Sequence, residues 1–157
     1  MVSKVSHEQI KRIQRELAHA YSNRNPSEVT DTYWIYAERK KGKYPEPTRR
    51  SGKWLIFVSE KAVDQVWARV KRSTEEGKLG DSAKVATAMD NPNAVDPSQR
   101  VICVYTYDWR DEKDVRRVRA ALRELGIDRK IPYKADQDTL AGKYRVSGHK
   151  RISKYYE

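Results

Sequence analysis

Residues 50–70 read RSGKWLIFVSEKAVDQVWARV, and within them the period of the apolar residues changes. From Lys53 to Val58 the side chains are bulky, aromatic or β-branched, the composition of a buried strand. Alternation divides them into Lys53, Leu55 and Phe57 on one side and Trp54, Ile56 and Val58 on the other. From Ser59 onward Val63, Val66, Trp67 and Val70 fall on one helical stripe. A strand that delivers directly into an amphipathic helix has one face to be covered, and a lysine is costly to bury there without a partner. The Lys53 side is therefore expected to face away from the helices.

The elements around this unit follow the same logic. SHEQIKRIQRELAHAYS (6–22) predicts a helix with Ser6 and Gln9 as a capping box, docking through Ile10, Ile13, Leu17 and Tyr21. Asn25 and Pro26 break it, and TDTYWIYAER (30–39) predicts a strand. KKGKYPEPTRRSG (40–52) reads as a basic, proline-interrupted loop. Gly77 and Gly80 close the helix after Ser59, and SAKVATAM (82–89) is a short strand with Lys84, Ala86 and Ala88 on one side. DNPNAVDPSQ (90–99) is a loop and RVICVYTYD (100–108) a strand, whose two apolar sets leave open which side meets the helices. DEKDVRRVRAALRELG (111–126) carries acids early, arginines late, a Val115, Val118, Leu122, Leu125 stripe and a C-terminal glycine. KIPYKADQD, GKYRVS and HKRISKYYE read as short strands or ordered tail. The pattern predicts one α+β domain over 1–157, a mostly antiparallel sheet with helices on one face, and 1–5 and 153–157 as its least tied-down ends.

Composition bounds the function. The 157 residues are 38% hydrophobic and 35% charged, with four Trp and ten Tyr, a globular balance for one core. A net charge of +11 attracts polyanions, which makes RNA, nucleotides and phosphorylated proteins the expected partners. A single cysteine, Cys103 in VICVY, rules out an intramolecular disulfide and reads as a packed hydrophobe. No apolar run is long enough to span a membrane and no signal-peptide pattern appears, so a cytoplasmic location without membrane partners is expected. His7, His19 and His149 stand far apart, and glycine-loop, dinucleotide and nucleophile-elbow motifs are absent; no metal or cofactor is expected.

Two places concentrate chemistry suited to phosphate. Lys53 and Lys84, with Arg100 at the start of its strand and the tyrosines that follow, would pair cations with stacking rings on the open face. The loop 40–52 sets Tyr44 and Glu46 among Lys40, Lys41, Lys43, Arg49 and Arg50, an aromatic platform and a carboxylate that accepts from a base N–H. Solvated lysines guarding a sheet edge, and a plain basic loop, are the competing readings.

SGKWLI, VDQVW, SAKVATA, VICVYTYDWRDEKDVRRVRAALRELGI and YKADQDTLAGKYRVSG, in that order, resemble the eukaryotic translation initiation cap-binding protein. The chain is more similar still to the family named after a protein expressed in basophilic leukemia, which shares that fold and the KW, AKV, VYT and terminal YY features. The resemblance implies a curved antiparallel sheet with helices on the convex face and a ligand in the concave one. It places Tyr44 at a stacking position, Glu46 at the guanine-reading carboxylate, Lys53 near the phosphates and Tyr105 in the same cavity. The hairpin that supplies the second stacking ring has no counterpart before residue 7, and Ala88 stands near where a phosphate-binding arginine would be. Methylated-guanine recognition is thus not expected, whereas binding of a nucleotide or RNA end is. The Lys53 and Lys84 placement also resembles the bacterial phosphothreonine lyases, which implies the alternative of β-elimination with Lys84 as base, Lys53 assisting and His149 as acid. Their own histidine falls near Leu55, which has no acid function. A protein-binding module is the third reading.

Overall fold

A computed structural model of the chain describes residues 6, 8–10, 12, 13, 16, 21, 23–92, 96–140 and 153–157. After a short 3-10 turn at Pro26–Glu28 come β1 (Trp34–Glu38), β2 (Gly52–Ser59), α1 (Val63–Glu75), β3 (Ser82–Ala86) and β4 (Gln99–Thr106). They are followed by α2 (Glu112–Glu124), β5 (Pro132–Ala135), α3 (Asp136–Leu140) and β6 (Ser153–Tyr156). The six strands form one sheet in the order β1-β3-β4-β2-β5-β6, antiparallel at every junction.

Both long helices end where glycine permits a left-handed residue. Gly77 has φ +76° and Gly126 φ +93°. The amide of Lys78 reaches Ser73 O and that of Gly77 reaches Thr74 O, and the same paired bonds run from Ile127 to Leu122 and from Gly126 to Arg123. Asp111 caps α2 by accepting from the Asp114 amide at 3.2 Å. Val63, Trp67 and Val70 of α1 and Val115, Val118 and Leu122 of α2 are buried. They cover Ile35, Val85, Ile102 and Ile56, which lie in register across four strands, and Val104 beside Trp54. Burying side chains of this size contributes roughly 1.5–3 kcal/mol each. Trp54 Nε1 donates to Val115 O at 3.1 Å, which ties β2 to α2. Arg119, also under this helix layer, is only 3% exposed and donates to the carbonyls of Ile127, Arg129 and Glu157.

Several expectations are corrected. Ser6 and Gln9 do form the reciprocal capping box, at 2.8 and 3.1 Å, but Ile10 and Ile13 are 44% and 49% exposed and do not dock. Tyr21, from the same stripe, does pack against the core. The helix after Ser59 starts at Val63, and the strand read over KIPYKADQD ends at Ala135: Asp136 opens α3. Ser153–Tyr156, read both as short strand or ordered tail and as part of a less tied-down end, pair with β5 as β6. GKYRVS and His149 lie outside the described residues. Among the described residues, no helix is long and apolar enough to cross a membrane.

Candidate ligand site on the helix-free face

Strand register decides which side chains share the face opposite the helices. Lys53 stands opposite Tyr105 of β4 and Lys134 of β5, while Lys84 stands opposite Tyr36 of β1 and Cys103 of β4. Trp34, opposite Ala86, completes the row. Lys53, Lys84 and Tyr105 thus come together, and the question left open for β4 is answered by Trp54, whose pairing with Val104 puts Cys103 and Tyr105 on the helix-free side. This face bears no long helix, yet it is not bare: Lys53 is 8% exposed and Lys134 5%.

The three lysines differ electrically. Lys53 Nζ lies 2.7 Å from Asp136 Oδ1, and the same carboxylate accepts from Ser51 Oγ at 2.7 Å. Lys84 Nζ sits 3.9 Å from the centre of the Trp34 ring and makes no hydrogen bond or ion pair with the described residues. Burial lowers its pKa, the nearby Lys53 adding to the effect. Lys134 is lowered for the same two reasons. Burial likewise raises Cys103 and Tyr105, so the thiol and the phenol stay protonated between the ammonium groups.

At one end of this face Tyr44, Pro45 and Pro47 and residues at the ends of β2, β3, β4 and β5 line a half-open pocket of about 140 Å³. Tyr44, Pro45, Pro47, Tyr105, Asp81 and Asp136 are among its lining residues. Tyr44 is firmly held. Its hydroxyl donates to Asp114 and accepts from the Tyr107 amide, the Arg39 guanidinium lies 4.9 Å over its ring, and Tyr107 meets it edge-on at 5.6 Å. Gly80 is required at the cavity's edge, since a Cβ there would stand 1.9 Å from Tyr105 O.

Tyr44 and Tyr105 therefore both line one pocket, whereas two other expected residues do not reach it. Glu46 is exposed and does not line it, whereas Asp81 and Asp136 do. Arg100 lies at the other end of β4, five residues or about 17 Å from Tyr105. It pairs in register with Val58, donates to the carbonyls of Pro97 and Gln99, and faces Glu60 at 3.6 Å. Of the loop cations, Arg50 is committed to Asp108 at 2.7 Å and Lys40 to Glu75 at 3.2 Å. The sequence reading missed Trp34, Tyr36, Lys134 and Asp136. Alternation in WIYAE would have placed the first two, while the Lys53–Asp136 pair spans 83 residues and leaves no local signal. Among the described residues no three His, Cys, Asp or Glu gather as a metal site.

Comparison with solved structures gives the fold its relatives. The chain is similar to Caenorhabditis elegans eIF4E-3, solved in complex with the 4E-binding protein Mextli and cap analog, with a TM-score of 0.55 and 17% identity over 81% of this chain and 76% of that one. It is also similar to Ascaris suum eIF4E-3, solved with an m2,2,7G cap, with a TM-score of 0.51 and 16% identity over 74% and 70% of the two chains. At these identities the likeness is one of fold: a curved antiparallel sheet with helices on its convex side. Residues 46–140 match the sequence model of the basophilic leukemia-expressed protein Bles03, more than half of the chain, and the protein belongs to the Bles03 family.

Proposed function

We propose that this protein binds a phosphate-bearing ligand, a nucleotide or RNA end, on the concave, helix-free face of its sheet. The observation that carries the reading is the convergence of Lys53, Lys84 and Lys134 with Trp34, Tyr36 and Tyr105 on that face. Lys84 is the central group. A half-buried ammonium that makes no ion pair with the described residues, with Asp136 acting on it only from a distance, loses hydration with little compensation, and a phosphate oxygen would supply it. The relatives in fold were solved with cap ligands, which supports a nucleotide as the kind of ligand. The formal charge of +11 would draw such ligands from a distance.

The test is a tryptophan fluorescence titration with GTP and with a 5′-triphosphorylated RNA oligonucleotide, on the native chain and on Lys84→Ala. Trp34 lies directly under the Lys84 ammonium and would report occupancy. Saturable change that Lys84→Ala weakens by about tenfold or more supports the reading; no response to either ligand overturns it. The β-elimination alternative draws on the lowered pKa of Lys84 as a base, and half-buried Leu55 offers no acid beside it. Release of inorganic phosphate from a phosphothreonine peptide would bring that alternative forward.

A further inference from the structure

The helix-free face does not end at its lysines. Farther along the strands it carries two aromatic rings in water, Phe57 at 44% and Tyr156 at 62% exposure. Phe57 alternates with Lys53 and Leu55 on β2 and stands opposite Val101. Tyr156 stands opposite Pro132, on the side away from Tyr133 and Tyr155, whose rings pack with Trp54 under the helices. One exposed ring is ordinary on a protein surface. Two on one sheet face, with half-buried Leu55, Val101 and Pro132 on the same side, make an aromatic patch beside the lysines.

Register fixes the spacing. Trp54, Tyr133 and Tyr155 stand in one row across β2, β5 and β6. Lys53 and Lys134 lie one residue to one side of that row, Tyr156 one residue and Phe57 three residues to the other. The two rings therefore stand about 7 and 13 Å from the lysines along the strands. Cations accompany them: the Arg129 guanidinium donates to Phe57 O, and the Lys130 ammonium lies 5.9 Å over the Tyr156 ring. Both are exposed, and neither forms an ion pair with the described residues. Rings set among cations suit the bases and backbone of a single strand better than they suit an apolar protein face.

Resting on the phosphate-binding reading above, we infer that the ligand is a single-stranded RNA whose phosphorylated end meets the lysines and whose following bases stack on Tyr156 and then on Phe57. The strand runs along the open sheet, and the rings serve as platforms that accept any base, since every base presents a π face. Arg129 is already held at a carbonyl and Lys130 at a ring. The gain from the added nucleotides therefore comes from stacking, and it persists at salt concentrations that weaken the phosphate contacts.

Isothermal titration with GTP, a 5′-triphosphorylated RNA tetranucleotide and the same tetranucleotide made abasic after its first residue, on the native chain, Phe57→Leu and Tyr156→Leu, tests this. Both side chains are exposed and leucine keeps their apolar character, so the variants are expected to fold. The tetranucleotide should bind the native chain about tenfold or more tightly than GTP at low and at high salt, and the abasic chain within about threefold of GTP. Each leucine variant should lose about fivefold in tetranucleotide affinity and keep its affinity for GTP. Equal affinity for GTP and the tetranucleotide overturns the strand path and leaves the phosphate site standing, as does a tetranucleotide affinity that both variants retain. An abasic chain as tight as the tetranucleotide also overturns it, because the backbone alone then accounts for the gain. Concentration-dependent dimerisation that Phe57→Leu abolishes would give the patch to a second copy of the chain and overturn it as well. Failure of all three ligands to bind overturns both this inference and the reading on which it rests.

Discussion

A lysine in the middle of a strand normally reaches water or a carboxylate, and Lys84 has neither in full measure. Its ammonium rests on the Trp34 ring at 3.9 Å, half-buried, with Lys53 as a like-charged neighbour. Burial holds its pKa below the ordinary 10.5, so at pH values between the folded and unfolded pKa the unfolded chain carries the extra proton. The charge therefore costs stability most fully below the folded pKa, and the cost fades as pH rises toward 10.5. Lys84→Met, which keeps the stem over Trp34 and removes the charge, should stabilise the protein at pH 7 by about 1 kcal/mol while weakening phosphate binding. Thermal melts at pH 7 and pH 10 check the sign: the variant's advantage should be present at the first and shrink at the second. A variant less stable than the native chain at pH 7 would mean that Lys84 is a structural cation, not a binding one.

The elements that hold this residue in place depend on close backbone approach at β2. Gly52 stands opposite both Thr106 and Ala135, and the Tyr133 ring lies across it, so an added Cβ would meet Tyr133 Oη at 2.4 Å and Cε1 at 2.5 Å. Tyr133 is fully buried, shares a 2.6 Å hydrogen bond with Thr106 Oγ1 and packs edge-on against Trp54, so its ring has nowhere to retreat. Gly52→Ala should cost about 1–3 kcal/mol in a urea unfolding curve and loosen the pairing of β2 with β5. Gly52 stood unremarked in the sequence, because its function depends on a tyrosine 81 residues later. Alternation, by contrast, made the faces of β2 and β3 legible, since Lys53 and Lys84 each interrupt an apolar run on a single side. It left β4 open because both of its sets are apolar, and only pairing with β2 decides between them. Arg100 was assigned by nearness to the strand's start, whereas its alternation with Ile102 sets it on the other side. The Ile10 and Ile13 stripe has helical period, yet period does not specify a partner, and these residues are exposed.

At the scale of the whole molecule the charge is spread widely, and the question is how much of it a ligand feels. Much of the excess is already committed: Arg50 to Asp108, Lys53 to Asp136, Arg117 to Asp114, and Arg119 to three carbonyls. Those groups shape the fold, and the long-range field is left to exposed side chains such as Lys41, Lys43 and Lys61. Local contact and distant attraction separate under salt. A single-stranded RNA whose end phosphates engage Lys84 and Lys134 should lose affinity with a slope of about −1.4 in log K against log salt, since each neutralised phosphate contributes about −0.7. Lys84→Met should flatten that slope by about 0.7 and weaken binding at every salt concentration. Lys61→Met, which removes the same charge beyond the opposite end of β2, should lower affinity slightly at low salt and leave it unchanged where screening is short-ranged. Fluorescence titrations of the three proteins with a 5′-triphosphorylated oligonucleotide between 50 and 300 mM salt measure this directly. Equal slopes for Lys84→Met and Lys61→Met would mean that the RNA answers to the charge of the surface as a whole and that the concave face has no special part in holding it.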